Sequence, residues 1–189
     1  PLGKWILHAA CLQAKAWQEQ GLQPFTMAIN LSSQQFTEKG FVQEVINIIK
    51  GVGVKPECIE LELTESILMD NAISVNQDLV DIKEAGISLS IDDFGTCYSS
   101  LSYLKLFPID KLKIDQSFVR DLTVDKSDAD LIKAILAMAK ALKLRTIAEG
   151  VETSAQLDFL RKEGCEEVQG YLLGRPMPAE QIPDFIKKR

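Results

Sequence analysis

Two aspartates stand side by side at the end of an apolar run in the segment ISLSIDDFGTCYSS, residues 87–100. Adjacent carboxylates repel each other, so Asp92 and Asp93 need a positive charge close by. Carboxylate oxygens are the ligands that Mg²⁺ and Mn²⁺ prefer in proteins. The pair therefore predicts one of two roles, a divalent metal site or the capping of a helix, which is the commoner role of an Asp at a strand end.

Further polar residues follow the other β-rich runs of the chain, one group for each run. In chain order the groups are Asn30, Glu62, Asp92 with Asp93, Lys113 with Asp115, Glu149 and Gln169. Randomly scattered surface charges would not follow the strand ends in this way. In a (β/α)₈ barrel the carboxyl ends of several strands form the active site, so the pattern favours one site built from all of these strands.

The elements that must position these residues alternate between strands and helices. An amphipathic helix over residues 2–20 comes first, and six β-rich runs follow, each succeeded by a helical segment; the first of these segments is predicted as one helix over residues 33–50. The runs are PFTMAINLS, CIELELTES, ISLSIDDFG, KLKIDQSF, RTIAEGVE and EEVQGYLLG. This alternation predicts a parallel sheet of βα units in an α/β fold.

A TIM-type barrel explains the sequence better than an open doubly wound sheet. Neither a G-x-G-x-x-G turn nor a P-loop, which nucleotide-binding doubly wound folds usually carry, occurs in the chain. Six βα units after one helix fall short of eight, and a typical barrel of about 250 residues would leave roughly 60 missing. We therefore expect an incomplete (β/α)₈ barrel that lacks its first strand, helix and strand, and one partial domain over residues 1–189.

The composition excludes several classes of protein. The 189 residues are 46% hydrophobic and 25% charged, which is typical of a globular domain with a large core. The net charge of −6 argues against a nucleic-acid polymer as partner, because duplex binding needs clustered Lys and Arg. The four cysteines include no C-x-x-C pair, which favours reduced thiols in the cytoplasm, and no apolar run is long enough to span a membrane.

Six segments resemble, in order and spacing, the motifs of EAL domains, the bacterial phosphodiesterases that open cyclic di-GMP to linear pGpG. The segments are AINLSSQQF, ELELTES, SIDDFGTCYSSLSYL, FPIDKLKID, IAEGVE and VQGYLLGRPM. The resemblance extends from the N-terminal PLGKWIL helix to GRPM and so covers almost the whole chain. This ordered set of motifs favours the metal role over the capping role for Asp92 and Asp93.

The resemblance implies a site for two Mg²⁺ or Mn²⁺ ions, with Ca²⁺ as an inhibitor. A pair of divalent ions can activate water and neutralise the charge that develops on a phosphodiester. By similarity, Asn30, Glu62 and Asp92 would bind one metal. Asp92 would bridge to a second metal, which Asp93 and Glu149 would bind.

Other roles are also implied by the resemblance. Lys113 would contact either the attacking water or a phosphate oxygen, and Glu149 would assist in activating the water. Gln169 would contact the nucleotide. Asp115 is also expected in the part of the site that binds the substrate. It would be either a partner of Lys113 or only a strand-end cap.

Two acidic residues are assigned to the support of the loop that carries the paired aspartates. Glu65 lies three residues after Glu62, and the matching residue of the family steadies this loop. The alternative is a solvated turn residue. Glu152 is assigned to the same support, and its alternative, as for Asp115, is a strand-end cap.

Two departures from the family pattern limit the expected activity. The E-A-L tripeptide, whose Glu is a metal ligand in the family and near which an Arg contacts the substrate phosphate, does not occur in the sequence. Loss of a metal ligand lowers activity by orders of magnitude, so we expect little or no hydrolysis from the 189-residue chain alone. Cys97 stands where the family usually has Gly, and a side chain there costs about 1–2 kcal/mol if the position needs a positive φ.

The leading hypothesis is a metal-dependent phosphodiesterase domain in a parent protein that carries an upstream sensory or diguanylate-cyclase-like domain and forms a homodimer. One alternative is a non-catalytic receptor of cyclic di-GMP, against which the retained metal ligands argue. The other alternative is a dimerising module that associates through exposed sheet edges.

Overall fold

The described part of the chain contains six parallel strands, which form one sheet in chain order, β1 to β6. A computed structural model of the chain describes residues 2–22, 25–65, 67, 72–96 and 101–188. The strands are β1 (Met27–Leu31), β2 (Ile59–Thr64), β3 (Ser88–Phe94), β4 (Lys111–Ile114), β5 (Arg145–Ala148) and β6 (Glu167–Val168). The predicted α/β fold with a parallel sheet is confirmed. Because every strand runs in the same direction, all the carboxyl ends lie at one edge of the sheet.

Helices lie before, between and after these strands. In chain order they are α1 (Leu2–Glu19), α2 (Ser33–Phe36), α3 (Phe41–Val52), α4 (Ala72–Glu84), α5 (Leu101–Leu106), α6 (Gln116–Arg120), α7 (Lys126–Leu142), α8 (Ser154–Lys162) and α9 (Ile182–Lys187). Short 3₁₀ turns lie at Pro56–Cys58 and Ala179–Gln181. No helix within the described ranges is long and apolar enough to cross a membrane.

The predicted single helix over residues 33–50 is wrong, because the structure has two helices there. Ser32 caps α2 in a reciprocal capping box with Gln35. Gly40 then adopts a left-handed φ of 81° before α3 begins at Phe41. The apolar pattern hides this break because Phe36 and Phe41, on either side of it, are both buried.

The predicted strands were also too long, as two of the runs illustrate. The run KLKIDQSF ends as a strand at Ile114, and Asp115 caps the unexpected helix α6 by accepting a hydrogen bond from the Ser117 N–H over 2.9 Å. The run EEVQGYLLG forms only the two-residue strand β6. In both cases a cap or turn ends the strand although the apolar pattern continues.

Strand β2 is buried on both faces. Ile59, Leu61 and Leu63 belong to the hydrophobic core, while Glu60 and Glu62 point to the opposite face and are also buried. We call this opposite face the inner face; its buried polar residues include Glu60, Glu62, Ser90, Lys111 and Lys113. Barrel interiors are usually filled with branched apolar residues, so a charged inner face is unusual and points to a functional role.

Candidate metal centre

Lys113 lies at the centre of the site, surrounded by carboxylates. Its Nζ is 2.8 Å from Glu62 Oε1, 2.8 Å from Asp92 Oδ1 and 2.8 Å from Glu149 Oε1. Glu62 lies on β2 and Asp92 on β3, while Glu149 directly follows β5. The Glu149 N–H donates to the Ile114 carbonyl over 3.1 Å, which continues the β4–β5 pairing beyond the end of β5. The parallel sheet therefore brings together residues that are far apart in the sequence.

The paired aspartates reach the same site because β3 is irregular where they lie. In a regular strand, neighbouring side chains point to opposite faces. Here the β3–β4 register shifts between Ile91 and Phe94, and Asp93 adopts a left-handed φ of 53°. As a result, carboxylate oxygens of Asp92, Asp93 and Glu149 all lie within 4.8 Å of one another. Asp tolerates this backbone conformation better than most residues do.

The electrostatics of the site are dominated by burial and by the single ammonium. Burial lowers the pKa of Lys113, but its hydrogen bonds to Asp92, Glu149 and Glu62 together outweigh burial and raise it above the ordinary value. Burial raises the pKa of Glu62, and Lys113 opposes this rise. Three carboxylates contact the one ammonium, and the carboxylate of Asp93 lies beside those of Asp92 and Glu149. The fully ionised cluster therefore has a formal charge of −3. Such a cluster attracts cations.

Asp115 caps helix α6 and contacts Asp93 at the edge of the cluster. Burial raises the pKa of Asp93, the charge of Asp92 raises it further, and so does the hydrogen bond with Asp115. Burial also acts to raise the pKa of Asp115, but hydrogen bonds from Ser117 outweigh it and lower the pKa. The strand-end cap is therefore observed directly, and a role of Asp115 in substrate binding stays a prediction.

Glu65 reaches the loop that follows the paired aspartates. Its side chain is buried, and its Oε2 accepts a hydrogen bond from the Gly95 N–H over 3.3 Å. Gly95 has a φ of 98°, which a residue with a side chain rarely adopts. This is the contact that loop support requires, and it argues against a solvated turn residue.

Glu152 is less closely connected to the metal centre. Its side chain is exposed, and its N–H donates to Gln156 Oε1 over 2.8 Å at the start of α8. Glu152 and Asp115 line the same cleft, with a volume of about 280 Å³. Its assignment to loop support stays a prediction.

Asn30 and Gln169 lie at the carboxyl ends of β1 and β6. Asn30 is paired with Glu62 in the β1–β2 register, and both Asn30 and Gln169 are exposed. The Gln169 N–H donates to the Ala148 carbonyl over 2.8 Å, and its carbonyl accepts from Val151 over 3.0 Å. Both side chains therefore lie at the rim of the site, where a metal or ligand contact from either stays a prediction.

The predicted strain at Cys97 is not tested, because Cys97 lies outside the described residues. A different glycine is required at the site. A Cβ on Gly170 would lie 2.2 Å from the Val151 carbonyl oxygen, so only Gly allows this close approach. The VQGY motif contained this signal, but only the fold shows what Gly170 approaches.

Sequence reasoning also missed a second group of charges, formed by the buried Glu60 and Lys111 and the partly exposed Glu167. Lys111 Nζ lies 2.9 Å from Glu60 Oε2 and 2.8 Å from Glu167 Oε2. The available signal was the spacing of two residues between Glu60 and Glu62 and between Lys111 and Lys113. That spacing places both members of each pair on one face of a strand.

The donor set fits a hard divalent cation. Asp92, Asp93 and Glu149 offer only carboxylate oxygens, which suit Mg²⁺ and Mn²⁺, and no sulfur or imidazole ligand belongs to this described cluster. The Lys113 ammonium already lies among three carboxylates, which shows that their geometry can surround a cation. The fold and site together define a parallel α/β domain with an acidic cation site at the carboxyl ends of its strands.

The chain belongs to the EAL domain family, whose family model matches residues 1–176. It is 45% identical over 181 residues to the bifunctional diguanylate cyclase/cyclic di-GMP phosphodiesterase MucR of Pseudomonas aeruginosa. That match covers 96% of this chain and 26% of MucR, so the chain spans about a quarter of the length of this relative.

Two solved structures show the same fold. The first is a complex of the PaMucR phosphodiesterase with c-di-GMP, at a TM-score of 0.92 and 45% identity, covering 96% of this chain and 73% of the other. The second is the EAL domain of Mycobacterium smegmatis DcpA, at a TM-score of 0.94 and 36% identity. This match covers 100% of this chain and 85% of the DcpA chain. These likenesses agree with the barrel-type α/β fold predicted from the strand order.

Proposed function

We propose that residues 1–189 are the larger part of a metal-dependent phosphodiesterase domain, and that the protein containing this domain hydrolyses cyclic di-GMP to linear pGpG. The observation that carries this proposal is the cluster of Glu62, Asp92, Asp93 and Glu149 around Lys113 at the carboxyl ends of parallel strands. Membership of the EAL family and the likeness to a phosphodiesterase solved with c-di-GMP support the choice of substrate.

In this proposal two divalent ions would be held by Asn30, Glu62, Asp92, Asp93 and Glu149, and Asp92 would contribute to holding both. When bound, Mg²⁺ or Mn²⁺ would supply an activated water and neutralise the charge of the phosphodiester. The family is metal-dependent, and the carboxylate cluster offers the oxygen donors that these ions need.

Lys113 and Glu149 are the proposed catalytic residues. Lys113 holds three carboxylates in place through hydrogen bonds of 2.8 Å. When divalent ions share these carboxylates, the Lys113 ammonium would be free to donate a hydrogen bond to a phosphate oxygen or to the attacking water. The Glu149 carboxylate lies beside the ammonium and can accept the proton that the water loses.

Substrate contacts are assigned to the rim of the site. Gln169 is exposed after β6, and Asp115 lies beside Asp93 at the start of α6. We assign both residues to contacts with the nucleotide. Glu65 and Glu152 are assigned to support of the aspartate loop, for which Glu65 has the hydrogen bond to Gly95.

The test is an assay of the purified protein that contains this chain, with cyclic di-GMP as substrate and separation of linear pGpG by chromatography. We expect product with Mg²⁺ or Mn²⁺, none with EDTA, and a loss of at least about a hundredfold in Asp92→Asn. The matched control is Asp158→Asn, which removes a carboxylate whose side chain is 73% exposed and should leave the rate unchanged. Binding of cyclic di-GMP without product would support the receptor hypothesis instead.

Ca²⁺ is proposed to inhibit by occupying the same carboxylates. Ca²⁺ prefers six to eight oxygen ligands at longer distances than Mg²⁺ does, so it can bind without the geometry that hydrolysis needs. We expect added Ca²⁺ to reduce the Mg²⁺-dependent rate and to leave cyclic di-GMP binding intact. A rate that is insensitive to Ca²⁺ would contradict this assignment.

The proposed setting is the cytoplasm, in a homodimeric protein with a sensory or diguanylate-cyclase-like domain upstream. The bifunctional relative MucR supports the second domain. Within the described part of the chain, β1 and β6 each pair with one strand only, and edges of this kind favour association. Sedimentation of the purified protein as a monomer at micromolar concentration would contradict the homodimer.

A further inference from the structure

A second layer of buried charges lies on the inner face of the sheet, two residues below the metal centre. Lys111 Nζ is 2.9 Å from Glu60 Oε2 and 2.8 Å from Glu167 Oε2, and Arg145 Nη1 is 3.2 Å from Glu167 Oε1. We call Glu60, Lys111 and Glu167 the lower ionic layer. The side chains of Lys111 and Glu60 are only 6% and 4% exposed, so their ion pair is buried. Glu167 is 36% exposed and Arg145 is 52% exposed, so the network reaches the surface on the side of β6.

The lower ionic layer is attached to the metal centre through two strands. Glu60 and Glu62 lie on β2, and Lys111 and Lys113 lie on β4. Two residues of a strand span about 6.6 Å, so each pair joins the two layers rigidly over a short distance. In barrels, alternate strands contribute one layer of side chains, and the lower layer follows this rule by joining β2, β4 and β6.

Strand β3 lies between β2 and β4, and it leaves room for the β4 lysine side chains to reach the glutamates of β2. Ser90 on β3 is paired with Glu62 on one side and with Lys111 on the other. It is fully buried, and its hydroxyl has no hydrogen-bond partner among the described residues. A small side chain at this position allows Lys111 to reach over β3 to Glu60, so contacts across the inner face fix the spacing of β2 and β4.

The charges of the two layers indicate different roles. The lower ionic layer alone has a formal charge of −1, and Arg145, which is ion-paired with Glu167, balances this charge. The layer together with Arg145 is therefore neutral and needs no added cation. A buried ion pair adds little stability compared with apolar residues of similar size, because desolvation offsets the attraction between the charges. Its better-attested effect is to specify one arrangement among several.

We propose that Lys111, held by Glu60 and Glu167, is a positioning residue that fixes β4 relative to β2. It thereby sets the separation of Lys113 and Glu62 in the metal centre. The expected effect on metal affinity rests on the proposed function. The expected effect on geometry does not, because it concerns only the 2.8 Å contact between Lys113 and Glu62.

The test uses the triple variant Glu60→Gln, Lys111→Met and Glu167→Gln, which removes the charges of the layer together. A single Lys111→Met change would leave two carboxylates without their shared partner and could unfold the chain. We expect the crystal structure of the triple variant to show a lengthened contact between Lys113 Nζ and Glu62. We also expect its Mn²⁺ affinity to fall about tenfold, and Lys111→Arg, which keeps the charge, to retain most of the affinity.

The matched control is Lys83→Met. It removes the 2.7 Å ion pair to Asp110, which is partly buried and does not belong to either layer. We expect a comparable change in melting temperature with no change in Mn²⁺ affinity. This comparison separates positioning of the site from general loss of stability.

Two results would overturn the inference. One is a triple variant whose contact between Lys113 and Glu62 stays at 2.8 Å, and the other is a triple variant whose Mn²⁺ affinity equals that of the unmodified chain. If the unmodified chain binds no Mn²⁺, the proposed function fails, and the crystallographic distance alone decides the inference about Lys111.

Discussion

Asp93 shows how one residue conformation assembles the metal centre. The sequence could predict that two carboxylates end an apolar strand, because that information is local. It could not predict that the backbone turns left-handed at Asp93, which brings both carboxylates to one side. Nor could it show Lys113 between Asp92 and Glu62, since these contacts join strands that are distant in the chain.

The substitution Asp93→Asn separates charge from conformation. Asn tolerates the left-handed region almost as well as Asp, so we expect a melting temperature close to that of the unmodified chain but Mn²⁺ affinity at least about tenfold weaker. Asp93→Ala should lose the same affinity and in addition about 1 kcal/mol of unfolding free energy. Calorimetric titration and chemical denaturation measure the two effects. Equal stability of both variants would show that the conformation carries no strain.

Lys113→Met removes the only ammonium among the carboxylates of the described cluster. Without metal, the buried carboxylates would then lack a compensating charge, and we expect about 3–5 kcal/mol less unfolding free energy. Divalent ions should restore much of this loss, so Mn²⁺ should raise the melting temperature of the variant more than that of the unmodified chain. Scanning fluorimetry in EDTA and in Mn²⁺ measures the difference. An equal Mn²⁺ shift in both proteins would argue against a shared site.

At the scale of elements, the alternation of β-rich and helical runs predicted the six strands and their parallel order correctly. The predicted boundaries were wrong where a cap or a glycine ends a helix or strand although the apolar pattern continues, as at Gly40 and Asp115. Burial of the flanking residues keeps the hydrophobic period intact across such breaks. The boundaries therefore depend on side-chain to main-chain hydrogen bonds that periodicity does not record.

Gly170→Ala tests the close approach of the segments that follow β5 and β6. Its Cβ would lie 2.2 Å from the Val151 carbonyl oxygen, so we expect a loss of about 1–3 kcal/mol of unfolding free energy. The control is Gly51→Ala within α3, where nothing lies within 4 Å of the added Cβ. That variant should be more stable by about 0.5–1 kcal/mol, because Ala favours helices. Urea denaturation measures both, and a loss of stability in both would contradict this explanation.

The buried thiol of helix α1 makes the stability depend on pH. Burial raises the pKa of Cys11 to about 11 from the ordinary value of 9.0. Between these values the unfolded thiol ionises while the folded thiol keeps its proton, so its contribution to stability is complete below pH 9 and is lost as the pH approaches 11. We expect the stability difference between the unmodified chain and Cys11→Ser to shrink over this window in urea denaturation. A difference that is constant with pH would contradict the raised pKa.

At the scale of the whole molecule, two charged layers replace the apolar filling of an ordinary barrel interior. The metal centre has a formal charge of −3, whereas the lower ionic layer together with Arg145 is neutral, so cations are expected at the carboxyl ends of the strands. The resemblance to the family predicted the metal centre because it assigns roles to the residues of that centre. The motifs contain Glu60 and Lys111 as well but assign them no role, and these two residues meet Glu167 only when β2, β4 and β6 are assembled.

The central claim, that the cluster around Lys113 binds divalent metal, is tested most directly by titration of the metal-free chain with Mn²⁺, followed by electron paramagnetic resonance of the free ion. We predict that the unmodified chain takes up Mn²⁺, that EDTA removes it, and that Asp92→Asn binds at least about tenfold more weakly. Failure of the unmodified chain to bind Mn²⁺, or equal binding by Asp92→Asn, would contradict the claim.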